Sequence, residues 1–504
     1  MRYLCIHGHF YQPPRENPWT GEIDRQEDAA PYHDWNERVT AECYRPNTAA
    51  RLVDAQGRVV RAVNTFGRMS FNMGPTLLAW MERHAPDVYA AVLTGDRESR
   101  QRFAGHGAAI AQAYNHMILP LANPRDKVTQ VRWAIRDFVH RFGRMPEGLW
   151  LPETAVDLAT LEVLADHDIR FAILAPHQAR RVRAAGPGTE EWRDVGAGGI
   201  DPTTAYIQHL PAGRTIALFF YDGPIARAVA FEGVLQSGEQ FVQRLLGGFH
   251  DDRPWPQLVH IATDGETYGH HHRFGEMALA YALLAAADAG APPTVYGQFL
   301  AGHPAAAAVE IAENTSWSCV HGVERWRSDC GCNSGRHPGW HQRWRGPLRE
   351  ALDWLRDALA PLFEARAGEM LADPWAARDD YIDVLLDRAG PGAERFFAQH
   401  AGRPLGDSER NVALGLLEMQ RQAMLMYASD GWFFDDISGM ETVQLLRHAA
   451  RAVDLAEQFG GAALEPELLR RLGAAPSNVP AAGDGARIYA QEVRRGSTRA
   501  REHQ

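Results

Sequence analysis

The sequence predicts an α/β barrel followed by an all-helical domain. Short apolar runs alternate with amphipathic segments up to about residue 300, and two of these runs stop abruptly at carboxylates. Strands that alternate with helices pair in parallel through right-handed crossovers, so their carboxyl ends meet at one rim. About seven strand candidates precede residue 300, and beyond residue 346 only helical periodicity remains. This count favours a complete or incomplete barrel over a small open sheet.

The elements of the predicted barrel follow one another in regular order. Apolar runs predict strands, and apolar residues spaced three or four apart predict helices. The predicted strands are 2–7, 58–66, 148–151, 170–175, 215–221, 257–262 and 294–299, and the predicted helices are 74–84, 125–142, 154–167, 238–247 and 275–289.

The carboxyl-terminal part of the chain has a different pattern. Its predicted helices are 348–363, 378–387, 408–426 and 440–459. The last 31 residues are rich in proline, alanine and glycine and then become basic, a composition typical of disorder. The predicted domains are therefore a barrel over 1–310, a helical domain over 311–473 and a disordered tail over 474–504.

Composition and charge narrow the class of partner. The 504 residues carry a net charge of −11, which argues against nucleic acid or an anionic membrane and favours a neutral substrate. The sequence contains neither a signal peptide nor an apolar stretch of about 18 residues. Five cysteines are few for this length, which predicts a reducing cytoplasm and no disulfide framework. The oligomeric state stays open.

Three carboxylates at strand ends are the main catalytic candidates. Glu153 follows a short apolar run and Pro152, whereas Asp264 and Glu266 follow the run 258–262 and flank a glycine. Neighbouring like charges raise one pKa, as a general acid requires near neutrality. The alternatives are a helix-terminal carboxylate for Glu153 and a metal-binding or loop-structuring pair for the other two.

Histidines at the end of the first predicted strand offer a second interpretation. His7 and His9 flank a glycine, and Gln12 follows them. Such a pair binds metal in some proteins, but the amide of Gln12 favours hydrogen bonds to sugar hydroxyls. The run 270–272 is three consecutive histidines, which cannot all reach one ion from regular structure.

A cysteine- and histidine-containing segment resembles a zinc site by composition. Cys330 and Cys332 are separated by one residue, and His337 and His341 follow. The usual spacing is two to four residues, so the signal is weak and packed or idle thiols are the favoured interpretation. The sequence predicts no metal and no cofactor for the active site.

Four segments occur in a recognisable order along the predicted barrel. They are His7–Pro13, the region from Gly105-His106-Gly107 to Tyr114-Asn115-His116, Trp150-Leu151-Pro152-Glu153, and Thr263-Asp264-Gly265-Glu266. Together they resemble the motifs of glycoside hydrolase family 57. The resemblance implies an incomplete (β/α)7 barrel and a retaining enzyme, either hydrolase or transglycosylase, that acts on α-glucans. It implies Glu153 as the nucleophile and Asp264 as the acid/base.

The resemblance also implies substrate-binding residues. His7, Gln12, Trp150 and Glu266 are expected in the −1 subsite, and His9, His106 and Trp317 are expected to bind substrate. Trp432 lies in an aromatic turn over 430–436, which is expected to dock near acceptor subsites or to be a buried plug.

Two departures leave the substrate and its linkage open. The second motif of the family usually contains a glutamate, but residues 66–72 here contain no acid. The fifth motif is best placed over 313–326, which includes Trp317.

Two other functions remain as alternatives. The first is a metal-dependent polysaccharide deacetylase or α-mannosidase-like hydrolase, which the histidines motivate. The second is a non-catalytic glucan-binding protein on the same barrel, which the missing acid motivates. The choice between hydrolysis and transfer depends on whether water or a sugar captures the intermediate.

Overall fold

The computed structural model describes residues 1–184, 191–387, 390–461 and 463–495, which form two compact units. Unit 1 comprises Met1–Gln12, Arg25–Ala113 and Phe138–Trp317. Unit 2 comprises Pro13–Asp24, Tyr114–Asp137 and the chain from Ser318 onward. The two insertions of unit 2 into the amino-terminal part of the chain were not anticipated by a division into contiguous domains.

The strands of the described chain all precede residue 312. They are β1 (Arg2–Phe10), β2 (Ala50–Val53), β3 (Val59–Val63), β4 (Ser70–Met73), β5 (Ala109–Gln112), β6 (Leu149–Trp150), β7 (Phe171–Leu174), β8 (Ala179–Arg183), β9 (Arg193–Asp194), β10 (Ala205–His209), β11 (Thr215–Phe220), β12 (Gln257–Asp264) and β13 (Ala307–Ile311).

The α-helices run through both units. They are α1 (Trp35–Val39), α2 (Arg45–Thr48), α3 (Pro75–His84), α4 (Pro86–Arg102), α5 (Pro124–Phe142), α6 (Leu158–Asp166), α7 (Gly223–Phe231), α8 (Gly238–Leu246), α9 (Gly275–Asp288), α10 (Tyr296–Gly302), α11 (Arg345–Ala367), α12 (Pro374–Asp380), α13 (Ile382–Leu386), α14 (Gly392–His400), α15 (Asp407–Leu425), α16 (Asp430–Phe433), α17 (Met440–Gly460), α18 (Glu465–Leu472) and α19 (Gly485–Ile488).

A curved parallel sheet forms a half-barrel in unit 1. Its strand order is β12-β1-β4-β5-β6, with every pair parallel. A parallel bridge between Gly148 and Phe171 continues the array from β6 to β7, and β7 pairs in parallel with β11. The strands are almost wholly buried, as expected when helices cover a parallel sheet. The α/β architecture predicted from the alternating pattern is confirmed.

Two predicted strands have other roles. The run 58–66 contributes β3, which forms a separate antiparallel hairpin with β2. The run 294–299 lies mostly in α10, where Tyr296 and Phe299 are both buried three residues apart on one helical face. A short apolar run does not distinguish a strand from a buried helix, and here helical packing prevails.

Unit 2 is helical, as predicted for the carboxyl-terminal part of the chain. A buried ion pair lies within it: Arg378 donates to Asp126 at 2.7 Å, with the two side chains 3% and 5% exposed. Thr129 accepts a second bond from the same guanidinium at 2.8 Å. These bonds satisfy a charge that would be costly to bury alone.

The prediction of a disordered tail from residue 474 is wrong for 474–495. Ala475, Tyr489 and Val493 are at most 1% exposed, and α19 lies between the first two. These few apolar side chains provide enough burial to order a segment whose average composition is typical of disorder. Residues 496–504 of the predicted tail lie outside the described residues. Within the part of the chain that the structure describes, no helix has the length and apolarity needed to cross a membrane.

Gly148 provides a test of the packing between β6 and β7. A Cβ atom at this position would lie 2.3 Å from the Phe171 ring, which packs against Phe219 and Tyr296 with centroids 5.6 Å away in each case. We expect Gly148→Ala to lower the free energy of unfolding by about 1–3 kcal/mol, because the ring has little room to move. Thermal and urea denaturation measure the effect.

Gly302→Ala is the matched control for this substitution. A Cβ atom there meets nothing within 4 Å, so the variant should unfold like wild type. Equal stability of the Gly148→Ala and Gly302→Ala variants would contradict the packing described for β6 and β7.

Candidate active site

Polar side chains gather where the parallel strands of unit 1 end. His9 on β1 lies in register with Asp264 on β12 and with Asn72 on β4. Gln112 and Trp150 form the next pair, between β5 and β6. Parallel strands present their carboxyl ends at one edge, so residues far apart in sequence meet here.

The amide of Asn72 is the centre of a buried hydrogen-bond network. Its Oδ1 lies 3.0 Å from His7 Nε2, while its Nδ2 lies 2.8 Å from His9 Nδ1 and 2.7 Å from Gln112 Oε1. Since an amide nitrogen only donates, His9 Nδ1 accepts, and His7 Nε2 carries the proton that Asn72 Oδ1 accepts. His7 Nδ1 then accepts from Ser70 Oγ at 3.0 Å. Burial keeps His7 neutral, lowering its pKa to about 3.

Aromatic rings pack beside this network. Trp150 stacks on His7 and on His9 with centroids 5.0 Å apart in both pairs. Trp317 meets the edge of Trp150 at 5.1 Å and is only partly buried, whereas Trp150 and His7 are fully buried. Trp150 and His7 therefore pack beneath the surface of the site, whereas the Trp317 ring is accessible to a ligand.

Glu153 is held in an unusual backbone conformation. Its φ of 58° and ψ of 20° are left-handed, and Thr154 follows with a φ of 51°. Non-glycine residues adopt this region at a cost and do so most often at functional sites. Trp317 fixes the residue twice, because its backbone N–H donates to the Glu153 carbonyl and its indole N–H donates to Oε2, both at 3.0 Å. The carboxylate is thus oriented before any ligand binds.

Asp264 ends β12 and is open to solvent. The protein atoms that surround the carboxyl group nevertheless desolvate it, which raises its pKa to about 6. The negative charge of Asp264 contributes to raising the pKa of Tyr221, after the larger effect of burial. A carboxyl group with this pKa exchanges a proton with a ligand near neutral pH.

Glu266 lies two residues further on and is buried. Its Oε1 accepts from the Tyr11 backbone N–H at 2.9 Å and from the Tyr44 hydroxyl at 2.5 Å. Burial raises its pKa to about 8, and the charge of Asp264 adds to the effect against the opposing hydrogen bond from Tyr44. Gln12 hydrogen-bonds to Tyr44, which connects the loop after β1 with this carboxyl group.

Two residues predicted to bind substrate lie elsewhere. His106 precedes β5, so it lies at the amino ends of the strands, where Nδ1 is 3.0 Å from the carboxylate of Glu147. Trp432 is 1% exposed within unit 2, and its indole N–H donates to the Arg345 carbonyl at 3.3 Å. His106 therefore lies at the end of the sheet opposite the carboxylates. Neither face of the Trp432 ring is exposed to a ligand. The burial of Trp432 favours the packing interpretation of the 430–436 turn.

Several residues of the site were not among the candidates predicted from the sequence. They are Ser70, Asn72, Gln112, Tyr11, Tyr44 and Tyr221. Asn72 lies in the segment noted for lacking an acid, and its amide links three strands instead. The signal available was its position at the end of a short strand, since buried amides are usually hydrogen-bonded.

The histidines that suggested metal binding have other partners. Both ring nitrogens of His7 are engaged by Ser70 and Asn72. In the 270–272 run, His270 lies 2.5 Å from a carboxylate oxygen of Glu42 and His272 lies 2.8 Å from the Ala230 carbonyl. These rings point to separate partners, in agreement with the expectation that the run cannot converge on one ion.

The weak zinc-like grouping of Cys330 and Cys332 with His337 and His341 is not the one found in the structure. His337 stacks on Trp340 with centroids 3.9 Å apart. Cys319 and His321 lie beside the two cysteines instead. Cys319 and His321 precede Cys330 and Cys332 in the sequence, whereas the predicted histidines follow them.

Two family models match the chain. Residues 37–287 match glycosyl hydrolase family 57, and residues 340–502 match a domain of unknown function, DUF3536. Alpha-amylase 1 of Dictyoglomus thermophilum is 24% identical over 98 residues, which are 19% of this chain and 13% of that protein. The chain therefore spans only a small part of the length of this relative.

Solved structures share the fold. An exo-type maltose-forming amylase from Pyrococcus sp. ST04 has a TM-score of 0.70 at 15% identity, covering 94% of this chain and 83% of that one. A branching enzyme from Pyrococcus horikoshii has a TM-score of 0.55 at 17% identity, covering 95% and 92%. A 4-alpha-glucanotransferase from Thermococcus litoralis has a TM-score of 0.54 at 13% identity, covering 91% and 60%. These structures share the fold, and the family models show the family: the chain belongs to glycosyl hydrolase family 57 through residues 37–287 and carries DUF3536 over residues 340–502.

Proposed function

We propose that the protein is a retaining glycosidase or transglycosylase that acts on α-glucans. The observation that carries this proposal is the pair formed by Glu153 and Asp264. Glu153 is fixed by two hydrogen bonds from Trp317, and Asp264 has a pKa of about 6 at the same rim of the sheet. One carboxylate is oriented for attack and the other is suited to carry a proton near neutral pH.

We infer that the parallel array of unit 1 is an incomplete (β/α)7 barrel, which would suit this chemistry. Seven strands follow one another in parallel order, namely β12, β1, β4, β5, β6, β7 and β11. The three strands at one side of the array deliver His9, Asn72 and Asp264 to the rim. Glu153 follows β6, which lies further along the array. We propose that the glycosidic bond binds between the two carboxyl groups.

The first step forms a covalent glycosyl–enzyme. A carboxylate oxygen of Glu153 attacks the anomeric carbon as the bond from that carbon to the glycosidic oxygen breaks. Asp264 gives its proton to the departing oxygen, which leaves as a hydroxyl on the released chain. An α-linked substrate thus becomes a β-linked ester of Glu153.

The second step releases the glycosyl group with retained configuration. Asp264, now a carboxylate, removes a proton from water or from a sugar hydroxyl. The oxygen of that acceptor attacks the anomeric carbon, and the ester bond to Glu153 breaks. Water gives hydrolysis and a sugar hydroxyl gives transfer.

Glu266 supports this cycle through its protonation state. With a pKa of about 8, it remains neutral at pH 7 and adds no negative charge beside Asp264. Its bonds to the Tyr11 backbone and the Tyr44 hydroxyl hold the loop after β1 at the rim. We assign it a positioning role, along with the buried His7 and Trp150.

The accessible side chains support a sugar substrate. Trp317, Tyr11 and Gln12 are each only partly buried. Aromatic faces pack on the C–H faces of a pyranose, and an amide both donates to and accepts from hydroxyls. The preference for α-glucans comes from the structural relatives, which are named as a maltose-forming amylase, a branching enzyme and a 4-alpha-glucanotransferase.

Chemical rescue tests the roles of the two carboxyl groups. We expect Glu153→Ala and Asp264→Ala each to lose at least about 100-fold in kcat on maltooligosaccharides, because each removes an obligatory group. With an aryl α-maltoside and azide, Glu153→Ala should give the β-glycosyl azide by direct attack. Asp264→Ala should give the α-glycosyl azide by attack on the covalent intermediate. Product NMR distinguishes the two anomers.

Glu147→Ala is the matched control. Glu147 binds His106 at the opposite ends of the strands, so the variant should keep wild-type activity and give no azide product above background. Activity that survives in Glu153→Ala without rescue, or the same azide anomer from both variants, would contradict the assignment.

The pKa of Asp264 predicts the pH dependence. Because its pKa is raised to about 6 by desolvation, Asp264 is protonated below that pH and loses the catalytic proton above it. We expect kcat/KM on natural glucans to fall tenfold per pH unit above about pH 6. A substrate with an activated leaving group needs no proton in the first step, so its profile should lack this decline. Identical profiles for both substrates would rule out Asp264 as the acid.

The hydrogen-bond network of Asn72 predicts that two substitutions within it differ in their effect on the stability of the protein. Asn72→Leu leaves His7, His9 and Gln112 without the partner described above, whereas Ser70→Ala affects only His7. Each unsatisfied buried group costs about 1–3 kcal/mol, so Asn72→Leu should be clearly the less stable variant. Denaturant unfolding measures the order, and an equal loss in the two variants would contradict the central position of Asn72.

A further inference from the structure

We propose that unit 2 contains a structural zinc site formed by Cys319, His321, Cys330 and Cys332. The side-chain ligand atoms of these four residues all lie within 4.8 Å of one another, although up to thirteen positions separate them in sequence. We call this group the Cys3His cluster. Among the described residues, this is the group of histidine, cysteine and acidic side chains that lies close enough together to hold a metal ion.

The distances within the Cys3His cluster match a single tetrahedral ion. Bonds of about 2.3 Å to sulfur and about 2.0–2.1 Å to nitrogen place two sulfurs about 3.8 Å apart and a sulfur about 3.6 Å from the nitrogen. Cys319 Sγ lies 4.0 Å from Cys330 Sγ and 3.7 Å from Cys332 Sγ. Cys332 Sγ lies 3.5 Å from His321 Nδ1. One zinc ion at the centre reaches all four atoms with little movement.

The same distances argue against other arrangements. A disulfide requires a separation of about 2.05 Å, and one such bond would leave the third thiol and the histidine without a role. An iron–sulfur cluster distributes its four protein ligands over two or more irons, so the whole ligand set is spread more widely than around a single ion. Three sulfurs and one imidazole nitrogen in a tetrahedron are typical of zinc.

The backbone is shaped to bring these ligands together. Gly331 lies between Cys330 and Cys332 with a φ of +81°, and Gly322 follows His321 with a φ of 89°. A left-handed residue turns the chain sharply, so two thiols only two positions apart face the same point. The one-residue spacing, which weakened the zinc prediction from sequence, is accommodated by this glycine.

Two buried arginines lie close to the Cys3His cluster. Arg345 is fully buried and donates to the Cys332 carbonyl at 2.8 Å, and Arg325 is 5% exposed and lies 3.4 Å from the Asn333 carbonyl. In the described structure the Nε atoms of both guanidiniums have no hydrogen-bond partner. Zinc with three thiolates carries a net charge of −1, which would compensate part of this buried positive charge.

The site is structural and not catalytic. Four protein ligands complete a zinc tetrahedron, whereas catalytic zinc keeps a position for water or substrate. The ion would cross-link the segment 319–332, whose other described structure consists of turns and one short helical turn at Glu324–Trp326. In this way a metal bond replaces the regular hydrogen bonding that the segment lacks.

The test measures metal in the full-length protein purified under reducing conditions without added chelator. We expect one zinc per chain by elemental analysis, and a native mass that exceeds the metal-free mass by one zinc with the loss of protons from the thiols. Replacement with cobalt(II) should give the d–d bands of a tetrahedral ion and the charge-transfer band of thiolate ligands.

Two histidine variants form a matched pair. His321→Ala should lose its zinc to a competing chelator that wild type resists, and Cys332→Ser should do the same. His337→Ala should keep its zinc, because its ring stacks on Trp340 outside the cluster. If the Cys332→Ser variant fails to fold, the elemental analysis and the two histidine variants still test the zinc proposal.

Removal of the ion from wild type gives a second measurement. Hydrogen exchange of segment 319–332 should increase in the metal-free protein and return to its original rate when zinc is added. Wild-type protein that neither carries zinc nor binds one equivalent under reducing conditions would overturn the proposal. A native mass lower by two hydrogens, which would show a disulfide, or equal zinc loss from the two histidine variants would overturn it as well.

Discussion

The need to satisfy buried polar groups at the carboxyl ends of β1, β4 and β5 governs the architecture of the candidate site. Asn72 meets this need by bonding to both histidines of β1 and to Gln112 of β5. Because each of these groups is buried, no water replaces a lost partner, and the register of three strands becomes coupled to one amide. The orientation of His7 and His9 in turn sets the position of the Trp150 ring that stacks on both.

Three carboxyl groups close to this network differ because their surroundings differ. Asp264 is open to solvent yet desolvated enough for a pKa near 6, whereas Glu266 is enclosed and keeps its proton to about pH 8. Glu153 is distinguished by geometry, since Trp317 fixes both its backbone and its carboxylate. The separate tasks proposed for these carboxyl groups thus follow from differences in their burial and hydrogen bonding.

The sequence predicts those parts of the structure that depend on local pattern. Apolar runs that stop at Glu153 and Asp264 identify strand ends, and helical periodicity identifies the helices of unit 2. The local pattern does not predict the structure of segments whose conformation depends on contacts with residues distant in sequence. The 294–299 run becomes helical because Tyr296 and Phe299 are buried on one face, and 474–495 becomes ordered because Tyr489 is buried.

The candidate site was predictable only in part for the same reason. His106 lies in a segment resembling a family motif, but its position before β5 places it at the opposite end of the strand. Asn72 was overlooked because an asparagine has no reactivity of its own, and its importance comes from three partners on two other strands. The cysteine partner of Cys330 and Cys332 precedes them by more than ten residues, a separation that no short motif covers.

The two ends of the parallel sheet are chemically different. At the amino ends, Glu147 bonds to Arg170 at 2.7 Å as well as to His106, and Arg144 bonds to Asp96 at 2.7 Å. At the carboxyl ends lie the groups proposed to act on substrate. Natural variation therefore has two separate regions to act on: residues at one end can change thermal tolerance while leaving catalysis intact, and residues at the other can change specificity while the sheet stays anchored.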